Sequence, residues 1–275
     1  MISVDLHTHS TFSDGTFSPE ALARRAAKRH IAIISLTDHD TTSGLDRFMK
    51  ACRKEGVQGI PGVELSAEAS FTLHILGYRI DIEEKVLQEK LESLRVGRDK
   101  RNFQIVAKLR ELGAEITMED VEAESGGEVI ARPHIARVLV RKGFVKDPAS
   151  AFKRFIGRDC PAFVPRVRLD PEECLSVIRG AGGLPVLAHP GLMALDEPVM
   201  LELIGRLSDK GLWGLECISG HHGSGEIFYW LKIANRFGLF PTAGSDFHGL
   251  DRPGTDLGVS VTETLLPWAR LGARI

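Results

Sequence analysis

Short apolar runs alternate with helical periodicities over both ends of the chain. Residues 2–6 (ISVDL) read as a strand. Ser18-Pro19-Glu20 opens a helix: Ser18 suits the cap, Pro19 the first turn, and the stretch to Arg29 is rich in Ala, Arg and Leu. Residues 31–37 (IAIISLT) form a second predicted strand, followed by a helix over about 43–55. Residues 57–67 and 71–78 are a third and a fourth strand. The alternation resumes with strands at 183–189, 211–219 and 240–246, helices at 197–210 and 225–237, and a short strand at 257–262. This order predicts a parallel sheet, open or closed into a barrel.

The middle of the chain follows another pattern. From about 83 to 180 it is mostly helical and more charged, beginning on a long helix over about 83–112. The predicted organisation is therefore a sheet unit over 1–82 and 181–275 and an inserted, mainly helical subdomain over 83–180. A length of 275 residues suits one domain with an insertion, and 43% apolar residues supply a sizeable core.

A net charge of -2 gives no electrostatic footprint for duplex DNA or a membrane surface, so recognition of an anion has to be local. The start, MISVDLH, lacks a signal-peptide pattern, and no apolar run approaches the roughly 20 residues of a membrane span. Cys52, Cys160, Cys174 and Cys217 are scattered and form no CxxC pair. They read as reduced, mostly buried thiols of a cytoplasmic protein.

The strand ends carry the chemistry. Side chains alternate across a strand, so His7 and His9 point to one face, which suits two imidazoles on one metal ion. Seen alone, the pair fits a surface position as well. His39 follows the second strand, Glu64 ends the third, His189 ends a later one, and Asp246 and His248 follow the last. His74 lies inside the fourth strand, where a lone histidine is ordinarily a core residue. Six of the ten histidines thus sit at or near predicted carboxyl ends of strands, the active-site face of parallel α/β folds. Imidazoles with Asp and Glu, and no cysteine, favour Mn, Fe or Zn over a Ca or Mg cage. With Asp14, five residues after His9, these make nine such groups, more than one ion's coordination number, so two or three ions sharing a bridging carboxylate are expected.

The segments DLHTHSTFSDG, TDHDT, GVE, AHP and GSDFHG resemble the motifs of the PHP (polymerase and histidinol phosphatase) superfamily. Their spacing is similar to that of its small bacterial phosphoesterases, over nearly the whole chain. The resemblance implies a distorted (β/α)7 barrel, with the insertion as a substrate cap, and a site for three divalent ions, usually Mn. It implies that His7, His9, Glu64 and Asp246 hold one ion, that Glu64 bridges to a second with His74 and His189, and that Asp14, His39 and His248 hold the third. Asp14 and His39 count as substrate contacts too. The implied activity is hydrolysis of a phosphate monoester of a small nucleotide, such as a 3′,5′-bisphosphate, or trimming of short RNA from its 5′ end. The partner is then a small phosphorylated substrate or short RNA, with no duplex DNA, membrane or obligate protein partner.

Metals of this kind lower the pKa of bound water and neutralise phosphoryl charge, so no nucleophilic Ser or Cys is required. Neither ISG nor AGS fits GxSxG, and no Walker loop or GxGxxG fingerprint is present. Asp246 or His248 is expected to assist proton transfer to the leaving oxygen. Alternative readings are a phosphatase for another small ester such as histidinol phosphate, and a non-catalytic PHP module. The complete ligand set argues against the second.

On the long helix, Leu87, Leu91, Leu94, Ile105, Leu109 and Leu112 form an apolar stripe interrupted by Arg98, Arg101 and Asn102. The interruption is either an anion site or a solvated patch, and the resemblance favours a contact to a non-reacting phosphate. In ARPHIAR, Arg132, His134 and Arg137 either line the pocket or open a helix, and the resemblance favours His134 as a substrate contact. His221 and His222 lie on a loop read equally as a substrate loop or a mobile surface loop. His30 reads as a helix-end charge and the tail LPWARLGARI as a packed edge segment.

Overall fold

The computed structural model describes residues 1–125, 130–249 and 255–274. Its elements are β1 (Ile2–Asp5), α1 (Pro19–Lys28), β2 (Ile33–Leu36), α2 (Leu45–Glu55), β3 (Gln58–Ala67), β4 (Leu73–Tyr78) and α3 (Lys85–Glu111). Then come α4 (Met118–Ser125), α5 (Arg132–Arg141), α6 (Pro148–Ala151), α7 (Pro171–Gly180), β5 (Leu184–Leu187) and α8 (Glu197–Asp209). β6 (Gly214–Ser219), α9 (Ser224–Arg236), β7 (Phe240–Gly244), β8 (Val259–Val261) and α10 (Trp268–Leu271) complete the chain.

Local chemistry sets these elements. The Ser18 side chain accepts from the Ala21 N–H at 3.2 Å and caps α1, with Pro19 in the first turn. Leu22, Ala23 and Ala26 of α1 are buried. Asp170 caps α7 in the same way, accepting from the Glu172 N–H at 2.9 Å.

The strands lie in the order β7-β6-β5-β4-β3-β2-β1-β8. Beyond the ends of β1 and β7, the Leu6 N–H donates to the Ala243 carbonyl at 3.0 Å, and Thr8 bridges Phe247 in parallel. These contacts bring the two ends of the seven-stranded run together, giving the nearly closed barrel expected of a (β/α)7 fold. Val4, Leu6, Ile33, Ile60, Leu76, Val186 and Ala243 pack inside, and Leu266, Trp268, Leu271 and Ala273 of the tail join the same core.

The sheet is not wholly parallel, as the alternation predicted. β4 pairs antiparallel with both β3 and β5, and β8 pairs antiparallel with β1. Five residues separate β3 from β4, too few for a parallel crossover, which takes a dozen or more. Because β4 runs backwards, its beginning lies at the rim where the other strands end.

The chain divides into two compact units, Met1–Lys90 with Arg168–Ile275, and Leu91–Val167. The expected limits, 82/83 and 180/181, are corrected on both sides. α7 packs on the barrel strands, and Ile178 lies so close to Gly77 of β4 that a Cβ there would meet it at 3.0 Å. The start of α3 belongs with the barrel unit as well: Gln88 donates to the Ile82 carbonyl at 2.7 Å. The helical unit has its own core, from Ile105, Leu109, Ile116, Val121, Ile135, Val138, Leu139 and Ile156. Leu112, assigned to the apolar stripe, is exposed, at the end of the helix.

Candidate metal centre

Six of the nine predicted side chains, all imidazoles, converge on two carboxylates of the same set, Glu64 and Asp246. Glu64 ends no strand: it is mid-β3, opposite Leu76 of β4, and has no exposed surface. Its Oε1 lies 3.4 Å from His7 Nε2, 2.8 Å from His74 Nδ1 and 3.2 Å from His189 Nε2. Its Oε2 lies 3.3 Å from His9 Nε2 and 2.8 Å from His39 Nδ1. Asp246 Oδ1 stands 3.4 Å from His7 Nε2, 3.2 Å from His9 Nε2 and 3.5 Å from His248 Nδ1. Asp14 is set on the far side, 3.1 Å from His248 Nε2 and 3.8 Å from His39 Nε2. His74 is the second residue of β4, and the reversal of that strand brings it to this rim.

Three groups have ligand atoms within 4.8 Å of one another: His7, His9, Glu64 and Asp246; His9, Asp14, His39 and His248; and His39, Glu64 and His74. The first is the set expected for one ion. The second adds His9 to the expected third set, and the last pairs His39 with Glu64 and His74. His189 also reaches His74, ring nitrogen to ring nitrogen, at 3.3 Å.

The hydrogen-bond pattern fits bound cations. His7 Nδ1–H donates to Glu216 at 3.1 Å, which turns the Nε2 lone pair towards the oxygens of Glu64 and Asp246. His248 Nδ1–H donates to the Asp246 backbone carbonyl at 2.8 Å, so its Nε2 lone pair faces the Asp14 carboxylate. Lone pairs facing carboxylates in a dry site require a proton or a cation between them. His7 Nε2, His9 Nε2 and Glu64 Oε2 are fully buried and lack hydrogen-bond partners of good geometry. Imidazole and carboxylate donors without sulfur suit Mn, Fe or Zn. The cluster could therefore bind metal.

The electrostatics of the cage are strongly coupled. Burial opposes charge on His7 and His9, but neighbouring carboxylates outweigh it. Glu216, Glu64 and Asp246 hold His7 well above its usual 6.5, and Asp246 and Glu64 raise His9 to about 9. Burial also opposes charge on Glu64, Asp14 and Asp246, yet the surrounding imidazoles hold all three well below the usual carboxylate range. His74 is pushed down to about 4, by burial against the pull of Glu64.

The backbone is bent to serve the site. His189, Asp246 and Asp40 have positive φ angles of 27°, 57° and 52°. Each such residue costs about 1–3 kcal/mol and persists only where its surroundings over-determine it. Buried acids that the sequence reading did not single out hold these turns. Asp38 accepts from the Ser10 N–H at 2.7 Å and the Ser10 hydroxyl at 2.6 Å, fixing the loop of His9 and Asp14. Asp40 accepts from the Ser66 N–H at 2.9 Å, and Asp5 from the Ser245 N–H at 2.9 Å and the Gly258 N–H at 2.7 Å. Glu216 is the fourth. Asp5 and Glu216 stand among apolar strand residues, a signal present in VDL and GLECIS, whereas Asp38 and Asp40 lie past the end of β2.

Gly244 makes room for this packing. A Cβ there would come within 2.4 Å of His7 Cβ and 2.8 Å of Glu216 Oε1. Gly244→Ala is expected to destabilise the protein by about 1–3 kcal/mol, measured by urea unfolding.

The remaining expected contacts fall elsewhere. His221 Nε2 is 3.5 Å from Asp246 Oδ2, at the rim, and His222 is buried with Nδ1–H donating to the Cys217 carbonyl at 3.0 Å. His222 is thus not a surface residue, whereas His221 stays part exposed. Within the helical unit Arg98, Arg101, Asn102 and His134 are buried, so GRDKRN is not a wholly solvated patch. Arg101 Nε donates to the Val164 carbonyl at 2.8 Å and Asn102 to the Ile130 carbonyl at 2.9 Å. His134 Nδ1 accepts from the Ala131 N–H at 3.1 Å and so caps α5. Arg137 pairs with Glu124 at 2.9 Å, and Arg132 donates to the Ile156 carbonyl. His30 follows α1, exposed. The four cysteines are free thiols, three of them buried. Among the described residues no helix is long and apolar enough to cross a membrane.

Comparison with known proteins gives matches along the chain. The PHP domain family model matches residues 5–127. A 3′,5′-nucleoside bisphosphate phosphatase from Chromobacterium violaceum is 36% identical over 100% of this chain and 98% of its own. A 5′-3′ exoribonuclease from Haemophilus influenzae is 34% identical over 89% of each chain. The solved structure of an amidohydrolase from Chromobacterium violaceum, with bound sulfate and no metal, superposes with a TM-score of 0.88. It is 34% identical and the match covers 98% of this chain and 95% of that one.

Proposed function

The chain belongs to the PHP family, and on that premise we propose that it is a metal-dependent phosphoesterase that releases phosphate from a small nucleotide. A 3′,5′-nucleoside bisphosphate, cleaved to the 5′-phosphate, is the substrate best supported by its relatives. Release of nucleotides from the 5′ end of short RNA would be hydrolysis of a phosphodiester at the same centre, and the likeness to the exoribonuclease supports it as a second reading. The observation that carries the proposal is the placement of Glu64 within 3.4 Å of five imidazoles in a buried cage.

His7, His9, Glu64 and Asp246 are assigned to one cation, Glu64, His74 and His189 to a second, and Asp14, His39 and His248 to a third. Mn is the expected ion, with Fe or Zn compatible with the same donors. When bound, such cations activate water for attack and neutralise charge on phosphoryl oxygens. The chain's own residues orient the site and move the proton. Asp246 and His248 are both candidates for assisting proton transfer to the leaving oxygen; Asp246, ionised among the imidazoles, can accept and pass on a proton but carries none at rest. Both ring nitrogens of His248 are engaged, with the Asp246 carbonyl and with Asp14. The Oδ2 of Asp246 instead faces His221, which is about a third exposed at the rim.

The test is phosphate release by Mn-loaded protein from adenosine 3′,5′-bisphosphate, AMP, histidinol phosphate and a 5′-phosphorylated dinucleotide. Preference for the bisphosphate or the dinucleotide is expected, and preference for histidinol phosphate would overturn the substrate assignment.

The helical unit supplies the candidates for holding a second phosphate: Arg98, Arg101, Asn102 and His134. Arg98, buried where it interrupts the apolar stripe of α3, is the residue to change first. Arg98→Ala is expected to raise KM for the bisphosphate roughly tenfold, about 1.4 kcal/mol, and to leave KM for AMP nearly unchanged. Equal effects on both substrates, or none, would return these residues to a structural role.

A further inference from the structure

We propose that Glu216 is a positioning residue that sets two ligand histidines at once, an inference that rests on the metal reading above. Glu216 lies in the middle of β6, between Leu215 and Cys217, with no exposed surface. A carboxylate so placed costs several kcal/mol unless its oxygens are satisfied. Its two oxygens divide between two segments. One accepts from His7 Nδ1–H at 3.1 Å, and the other from the His189 backbone N–H at 2.6 Å.

The first contact places a proton. A carboxylate only accepts, so the hydrogen of His7 sits on Nδ1 and the Nε2 lone pair is turned towards Glu64 and Asp246. A ligand imidazole held in this way by a carboxylate keeps both its ring orientation and its basicity. The second contact places a backbone. His189 adopts φ 27° and ψ 59°, outside the usual wells, and this turn brings its Nε2 to 3.2 Å from Glu64 Oε1. The short hydrogen bond from its N–H holds that strained residue in place. The His7 and His189 rings then stack at 5.6 Å on either side of the Glu64 oxygen that both approach. One side chain thereby couples a ligand of the proposed first ion to a ligand of the proposed second.

A merely structural role for Glu216 predicts a loss of stability alone. A positioning role predicts altered cation binding and an altered His7 ring. The test compares the full chain with Glu216→Gln, which preserves size and one acceptor oxygen, and Glu216→Ala, which removes both. Calorimetric titration with Mn is expected to show one class of sites weakened by about 10–100-fold in Glu216→Gln, and by at least as much in Glu216→Ala. In the Zn-loaded protein, nitrogen NMR with labelled histidine is expected to show a His7 Nδ1–H signal that shifts in Glu216→Gln and is lost in Glu216→Ala. Unchanged Mn affinity or an unchanged His7 signal in both variants would overturn the proposal. If Glu216→Ala does not fold, the isosteric Gln variant decides alone. A wild-type chain that binds neither Mn nor Zn defeats the metal reading instead, so the two failures are distinguishable.

Discussion

Glu64→Gln is expected to fold and to lose phosphate release by about 10³-fold or more, equivalent to about 4 kcal/mol of transition-state stabilisation. The size follows from position. The two oxygens of Glu64 meet five imidazoles from four separate segments, and Glu64 belongs to two of the three groups able to hold a cation. An amide presents one weaker acceptor oxygen, and its NH₂ points at ring nitrogens that need an acceptor or a cation. It can neither bridge two ions nor balance the charge of the surrounding imidazoles. Folding survives because the register of β3 is fixed by its pairing with β2 and β4, and because Gln has nearly the volume of Glu. Turnover and Mn stoichiometry measured on one preparation check the prediction. Activity within tenfold of wild type would show that Glu64 is not central to catalysis.

The contrast between Glu64 and Glu216 explains what the sequence could reveal. Glu64 was legible because it stands in GVE, one of several short motifs whose residue types suit cation binding. Glu216 stands in GLECIS, a strand that differs from an ordinary core strand by one carboxylate. Its meaning depends on His7, 209 residues away in the chain. The strands and most helices were legible because period and caps are local properties. Strand direction was not read from the alternation, although the five-residue gap before β4 already excluded a parallel crossover. His74 therefore looked like a core histidine, when the reversal of β4 brings it to the rim. α7 was assigned to the insertion because an amphipathic helix does not reveal which partner covers its apolar face. Ile178 against Gly77 shows that partner to be the barrel.

Metal-free protein is expected to lose stability as the pH rises above 6.5, and again as it falls through the carboxylate range. On the alkaline side the groups responsible are raised imidazoles: His9, raised to about 9 because Asp246 and Glu64 outweigh its burial, with His7 and His189 raised in the same direction. Between 6.5 and 9 the folded chain holds a proton that the unfolded chain has released. This contribution is complete below 6.5 and disappears as the pH rises through 9. His9 alone contributes about 3 kcal/mol, from 1.36 kcal/mol per pKa unit. On the acid side, burial pushes His74 down to about 4, so from 6.5 to 4 the unfolded chain takes up a proton that the folded chain refuses. Asp5, raised to about 6 by burial, takes up a proton in the folded chain first and offsets much of this loss until the pH nears 4. Below the ordinary carboxylate range Glu64, Asp14 and Asp246, all held low, add to the loss. Saturating Mn should remove the alkaline decline, because a cation bound at His9 displaces the proton whose release caused it, and should steepen the acid one. Thermal unfolding from the carboxylate range to pH 9.5, with EDTA and with Mn, measures both. A loss of about 3 kcal/mol corresponds to roughly 6–12 °C in a chain of this size. A melting temperature that stays level or rises from pH 6.5 to 9 in EDTA would mean that His9 holds no extra proton, and that the carboxylates around it do not form the anionic cage on which cation binding depends.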